Sequence, residues 1–215
     1  MNRTARTRIR RLPARAVYEQ EQVEAILDAM PVAHLAFCLD GQPFAIPTLQ
    51  ARVEQTIYMH GSAASRTVKA LAEGIEVCLA VTLYDGIVLA RSAFHHSVNY
   101  RSATVFGKAR LVEGEAERLA ALEAFTERLL PGRWAEVRQP SRRELKGVSV
   151  LALPLQECVA KARSGPPQDE EQDLGLDVWA GVVPLHTVAG PLLPDPGLRD
   201  GLPISPAALR LLDRD

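Results

Sequence analysis

The feature that most constrains this chain is a succession of short extended segments separated by turn signals, with few helices between them. Asp40-Gly41 and Asp85-Gly86 are typical of two-residue hairpin turns. Parallel βαβ units need a helix after every strand, and that pattern is missing. The sequence therefore predicts a mainly β protein, an antiparallel barrel or sandwich. The predicted strands are 33–39, 44–53, 56–60, 75–84, 87–93, 100–112 and 148–155.

Apolar residues at helical spacing predict three helices among these strands and one near the end of the chain. The first ends before Pro31, and the third carries an apolar stripe that includes Leu122, Phe125 and Leu129. These patterns complete the secondary-structure prediction. The predicted helices are 17–30, 64–73, 115–130 and 205–212.

Changes in composition divide the chain into four parts. Residues 1–16 are rich in Arg and lack acids, which favours a solvated arm over a transit peptide. We predict that residues 17–163 form the barrel, that residues 164–175 form an acidic flexible linker, and that residues 176–215 form an extension packed on the barrel.

Charge and cysteine content exclude several classes of protein. The net charge of −1 argues against a nucleic-acid partner. No apolar run is long enough for a membrane span, so we expect no membrane partner. The three Cys form no C-x-x-C pair, so we expect reduced thiols in a cytoplasmic protein without a structural metal.

The most informative local pattern is a strand that runs through small residues into a helix at 58–69. Arg66 and Lys69 are three residues apart and therefore share one helical face. Ser62 or Ser65 adds a hydroxyl near them, and together these groups could hold one phosphate dianion. The alternative is a helix start with two solvated cations. Local chemistry favours the anion site.

Two weaker patterns lie on predicted strands. His95 and His96 begin a polar loop that leads into the 100–112 strand, and adjacent His residues cannot easily share one metal ion. Pro47 removes a hydrogen-bond donor from the 44–53 strand, which predicts a sheet edge or a bulge. The polar face of the 100–112 strand could line a cleft for a planar ligand, and Pro47 leaves a neighbouring carbonyl or N–H free to meet a ligand edge.

In their order and spacing, these segments resemble the FMN-binding split-barrel superfamily, the pyridoxamine 5′-phosphate oxidase-like proteins, nearest the nitroimidazole-resistance branch. The resemblance covers roughly residues 15–190. It rests on Ala45-Ile46-Pro47-Thr48, Ile57-Tyr58-Met59-His60-Gly61, Ser65-Arg66 with Lys69, 99–109 and 179–185.

The resemblance implies a six-stranded antiparallel split barrel that forms a homodimer, with non-covalent FMN at the subunit interface. Ser65, Arg66 and Lys69 would hold the FMN phosphate. The remaining implied contacts to the cofactor are Ile46, Pro47, Thr48, Tyr58, Met59, His60, Arg101, Ser102 and Trp179. The Trp179 side chain could instead anchor the extension in the core. The chain end lacks the Arg-x-His sequence of the vitamin oxidases, so we do not expect that activity.

Three functions remain open from the sequence. The first is an oxidoreductase of a small aromatic, nitro or B6-like compound that uses FMN and draws electrons from NAD(P)H. The second is a non-catalytic flavin or haem binding protein for storage or sensing. The third is a module that binds a phosphate-bearing ligand without redox chemistry. The catalytic residues and any special role of the five His remain unassigned.

Overall fold

The computed structural model describes residues 3–212, so residues 1–2 of the predicted arm and 213–215 of the extension lie outside it. The fold is a mainly β antiparallel split barrel, as predicted, and the described residues form ten strands in one hydrogen-bonded sheet. The strands are β1 Ala16–Val17, β2 Val32–Leu39, β3 Gln42–Val53, β4 Thr56–Ser62, β5 Glu76–Leu89, β6 Ser97–Lys108, β7 Arg110–Leu111, β8 Val148–Pro154, β9 Glu157–Arg163 and β10 Gly181–Pro184. The helices are α1 Gln20–Ala29, α2 Arg66–Ala72, α3 Glu115–Leu129, α4 Arg142–Gly147 and α5 Pro206–Leu212.

Strand β3 joins the two halves of the barrel. Residues 42–49 pair with β2, and residues 50–53 pair with β4. Within residues 3–212, the other side of 42–49 has no strand partner. Pro47 therefore lies on a sheet edge, which is the position that tolerates a missing donor. This edge is the split of the barrel.

The main core lies inside the barrel and is closed at one side by α1. Val23 and Leu27 of α1 are fully buried there. A second, smaller core lies under α3, where Phe125 packs with Val112 and Val150. Leu129, predicted on the buried stripe of α3, is 55% exposed. Only Ala121 and Phe125 of this helix are buried, so the buried stripe is narrower than predicted.

The hairpin predicted at Asp85-Gly86 does not form. β5 runs through this pair to Leu89 with a bulge between Tyr84 and Gly86. β6 pairs along one side of β5, and β10 from the extension pairs with residues 86–89 on the other. A Cβ at Gly86 would lie 3.0 Å from the Val183 carbonyl oxygen, so this glycine permits close approach of β10.

Other differences have simple local causes. β9 was missed, because its alternating small and charged residues (ECVAKAR) give little apolar signal. The short helix α4 was also missed, although Ser141 and Glu144 form a capping box at its start. β6 begins at Ser97, three residues earlier than predicted.

The parts outside the barrel contact it through specific pairs. Arg6 of the arm forms ion pairs with Glu76 and Glu157. In the acidic 164–175 segment, Asp169 accepts bonds of 2.8 Å from the backbone and guanidinium of Arg91. No helix within residues 3–212 has both the length and the apolar character needed to cross a bilayer.

Candidate functional site

The predicted anion-binding turn forms at the start of α2. Arg66 and Lys69 are exposed and line a pocket of about 320 Å³ together with Leu39, Ala64, Ala70 and Glu73. Within residues 3–212, neither cation forms an ion pair. The Ser65 hydroxyl does not cap the helix. These groups are therefore available to a ligand, with Glu73 as the one acid on the pocket wall.

The free edge of β3 lies beside this turn. The Arg66 guanidinium sits 4.7 Å above the ring centroid of Phe44, which fixes the cation against the strand. The unpaired edge of β3 supplies backbone donors and acceptors next to a positively charged pocket. This combination suits a phosphate-bearing ligand with a flat polar body. Phe44 is a site residue that sequence reasoning missed, although it stands two residues before Ile46.

The predicted residues of β3 and β4 divide between two faces. Pro47 is exposed on the β3 edge, Ile46 packs against the core, and Thr48 is half-buried. On β4, Met59 is 2% exposed, so its side chain belongs to the core and only its backbone could meet a ligand. Strand alternation places Tyr58 and His60 on the opposite face, toward α3.

A second pocket surrounds His60. Its volume is about 500 Å³, and its walls are Leu122, Thr126, Trp134, Val137, Arg138, Pro140, Glu144 and Val148. The His60 ring lies 4.6 Å from that of Phe125. Desolvation by the surrounding side chains lowers the pKa of His60, which favours the neutral imidazole. A neutral imidazole has a nitrogen lone pair that can bind a metal ion.

Tyr58 is held on the same face of β4. Its hydroxyl donates a 3.0 Å hydrogen bond to Glu117 of α3. Burial raises the pKa of Tyr58, and Glu117 raises it further. Tyr58 thus stays protonated and ties β4 to α3 beside the His60 pocket.

Arg101 and Ser102 lie on β6, away from the turn at α2 in the sheet order. Arg101 makes two bonds to the Asp85 carboxylate, of 2.9 and 2.7 Å. The guanidinium lowers the pKa of Asp85, so the pair stays ionised. Ser102 donates to the Lys161 carbonyl. Arg101 is therefore already neutralised within this chain.

Trp179 precedes β10 and packs over Gly181. A Cβ at Gly181 would come within 2.9 Å of the indole ring. Trp179 is nevertheless 66% exposed, so it does not anchor the extension in the core. Its open face remains free for a ligand or a second subunit.

A comparison of the sequence with models of known families finds one match. The sequence model of the pyridoxamine 5′-phosphate oxidase family matches residues 19–162, about two thirds of the chain. A comparison with curated protein sequences found no match.

Solved structures extend the likeness beyond that range. The flavocytochrome Anf3 from Azotobacter vinelandii is 38% identical, with 97% of each chain covered and a TM-score of 0.91. The FAD and haem binding protein from Mycobacterium smegmatis is 37% identical, with 92% of this chain and 97% of that chain covered and a TM-score of 0.88. A proposed 5-nitroimidazole antibiotic resistance protein from Bacteroides thetaiotaomicron shares the fold at 18% identity and a TM-score of 0.59, over 68% of this chain and 85% of that chain.

The family match spans the barrel that carries both pockets, and the fold with its split at β3 is the one expected from the motifs. The chain therefore belongs to the pyridoxamine 5′-phosphate oxidase family of split-barrel proteins.

Proposed function

We propose that this chain is a redox protein that binds a flavin nucleotide and a haem at separate sites. The observation that carries the proposal is the presence, in one barrel, of an unpaired cationic turn and a separate apolar pocket with a neutral imidazole. Two proteins similar over nearly the whole chain are described as a flavocytochrome and as an FAD and haem binding protein. That support favours FAD over the FMN expected from sequence.

The turn at α2 has the chemistry that a flavin phosphate requires. Arg66 offers a planar set of donors and Lys69 a point charge, and neither is satisfied by an acid of residues 3–212. The free edge of β3, from Phe44 to Thr48, would meet the polar edge of the flavin or its ribityl chain. Phe44 holds the Arg66 guanidinium in place, so less side-chain freedom is lost on binding.

The His60 pocket has the chemistry that a haem requires. Leu122, Val137 and Val148 give an apolar wall for a macrocycle, and His60 would supply the axial nitrogen. Arg138 at the rim would face a propionate, although it now pairs with Glu144 at 2.7 Å. The other histidines of the barrel lie elsewhere: His34 is on the outer sheet face, His95 pairs with Glu170, and the Nδ1 of exposed His96 lies 2.9 Å from the Ser92 carbonyl oxygen.

When bound, the flavin would supply two-electron chemistry and the haem one-electron chemistry. The chain itself would orient both groups and exclude water from the imidazole side. We propose a small-molecule substrate with NAD(P)H as electron donor. Arg101 is a weak candidate for the flavin ring because Asp85 already neutralises it.

Paired variants test the two sites separately. We expect purified wild type to show flavin absorbance and a Soret band. Arg66→Ala with Lys69→Ala should lose flavin and keep haem, whereas His60→Ala should lose haem and keep flavin. His186→Ala, an exposed His of the extension, is the matched control and should keep both. Stoichiometric flavin in the double variant, or an unchanged Soret band in His60→Ala, contradicts the corresponding site.

Turnover separates the oxidoreductase from a storage or sensing protein. Oxidation of NAD(P)H by the loaded protein, abolished in Arg66→Ala with Lys69→Ala, would support an enzyme. A stable chromophore that is not turned over by NAD(P)H would support the binding protein.

We also propose that the chain forms a homodimer through the outer face of the sheet. Ala36, Ala45 and Ala80 lie there on neighbouring strands, and small side chains allow close approach of a second sheet. Ala36→Glu should give a folded monomer by light scattering. Ala120→Glu, an exposed position of α3, should leave the mass unchanged. A dimer in both variants contradicts this surface.

A further inference from the structure

A third pocket lies between the end of the arm and the end of β9, distant in sequence from both sites above. Its volume is about 390 Å³, which is within the range of small-molecule sites. Its walls include Leu12, Arg15, Ala162, Arg163, Ser164 and Gln168.

Two guanidinium groups face this pocket without a counter-charge. Among the described residues, Arg163 donates only to neutral acceptors: the Asn99 side chain, the Gly165 carbonyl at 3.2 Å and the Pro166 carbonyl at 3.0 Å. Arg15 forms no ion pair within residues 3–212, and no acid lines the pocket. Burial lowers the pKa of Arg163, and the charge of Arg15 lowers it further.

We infer that this pocket is a binding site for a phosphate group, carried by a small organic phosphate. Two unpaired guanidinium groups on one cavity repel each other, and a dianion removes that repulsion while accepting from both. The Ser164 hydroxyl and the Gln168 amide add neutral donors on the same wall.

The pocket also offers contacts for the organic part of the ligand, and its Arg163 guanidinium is held in place. Leu12 and Ala162 give an apolar side for the organic part of the molecule. Leu12 is held in the left-handed region at φ 54°, which is uncommon for a branched side chain. Asn99, 8% exposed, receives a bond from Arg163 and donates to the Gly165 carbonyl, so the guanidinium is fixed before a ligand arrives.

The test is calorimetric titration of the purified full-length protein with inorganic phosphate, with AMP and with adenosine. We expect saturable binding of phosphate and of AMP, and none of adenosine. Arg15→Gln should weaken phosphate binding by about 10- to 100-fold, the effect of losing one charge-assisted contact. Arg10→Gln with Arg11→Gln removes more charge from the same arm outside the pocket and should bind as wild type does.

The Arg15 side chain forms no hydrogen bond or ion pair within residues 3–212, and Arg15→Gln keeps the backbone N–H bond to the Leu12 carbonyl, so this variant should remain folded. Equal affinity in wild type and Arg15→Gln, or binding of adenosine as tight as that of AMP, overturns the inference. The flavin content of Arg15→Gln identifies the source of the phosphate. Retained flavin supports a separate metabolite site, and lost flavin together with lost phosphate binding assigns the pocket to the phosphate of the cofactor.

Discussion

Gln50 is a buried amide at the point where β3 passes from one half of the barrel to the other. It is fully buried, and its Nε2 donates to the carbonyl oxygens of Leu27, at 2.8 Å, and Met30, at 2.6 Å. These carbonyls belong to the end of α1. Gln50 therefore fixes α1 against β3, directly after the segment 42–49 that forms the free edge at the candidate flavin site.

Gln50→Leu would keep the volume and remove both bonds. Two hydrogen bonds contribute about 2 kcal/mol. The Leu27 carbonyl still accepts from the Met30 N–H, at 3.4 Å, whereas the Met30 carbonyl loses its donor, which adds about 1 kcal/mol. The Oε1 of Gln50 has no partner in the described part of the chain, so its removal returns about 1 kcal/mol. The net expectation is a loss of about 2 kcal/mol in the free energy of unfolding, or about 4–8 °C in Tm for a chain of this size.

Urea unfolding followed by circular dichroism measures this loss. Gln55→Leu is the matched control. Within residues 3–212 the exposed Gln55 side chain bonds only to Glu24, and its backbone bond to Leu155 is kept, so this variant should change stability by less than about 0.5 kcal/mol. Equal stability of Gln50→Leu and Gln55→Leu would refute the argument that the buried amide holds α1.

Two further predictions concern the backbone and the arm. Gly132→Ala should destabilise the protein by about 1 kcal/mol, because Gly132 has φ +88° and lies against the Arg210 side chain of α5. Gly147 lies in open space and has no positive φ, so Gly147→Ala should not change the stability. Equal urea midpoints for the two variants would contradict this prediction. Arg6 and Thr4 lower the pKa of Glu157, so this carboxylate stabilises the folded state above the ordinary Glu pKa, and the contribution is lost as the pH falls through the lowered value. The stability difference between wild type and Glu157→Gln should therefore be present at pH 7 and vanish in acid; a difference independent of pH would show that the pairing with the arm is not electrostatic.

The parts of the fold that depend on residues close together in the sequence could be predicted from local residue preferences. The Asp40-Gly41 hairpin forms as predicted, with both residues at positive φ between Leu39 and Gln42. Pro47 lies on an edge because a residue without a backbone N–H is tolerated there. The same reasoning was wrong at Asp85-Gly86, where pairing with β6 and β10 outweighs the turn preference of two residues.

The cationic turn at α2 was predictable because Ser65, Arg66 and Lys69 lie within five residues, and helical geometry brings them together. The sequence could not predict whether the Arg101 guanidinium is free to contact a ligand or already paired with an acid. Its partner Asp85 is sixteen positions away, and the two meet only through the bulged register between β5 and β6.

The sequence by itself determined the mainly β class, the turn that gathers two cations and the family to which the chain belongs, because each depends on short-range pattern. Only the tertiary structure decided that Phe44 supports Arg66, that His60 faces an apolar pocket under α3, and that Arg15 and Arg163 line one pocket. The residues brought together are 22 positions apart for Phe44 and Arg66, 65 for His60 and Phe125, and 148 for Arg15 and Arg163. Strand register and helix packing, rather than local preference, decide which residues this far apart lie together.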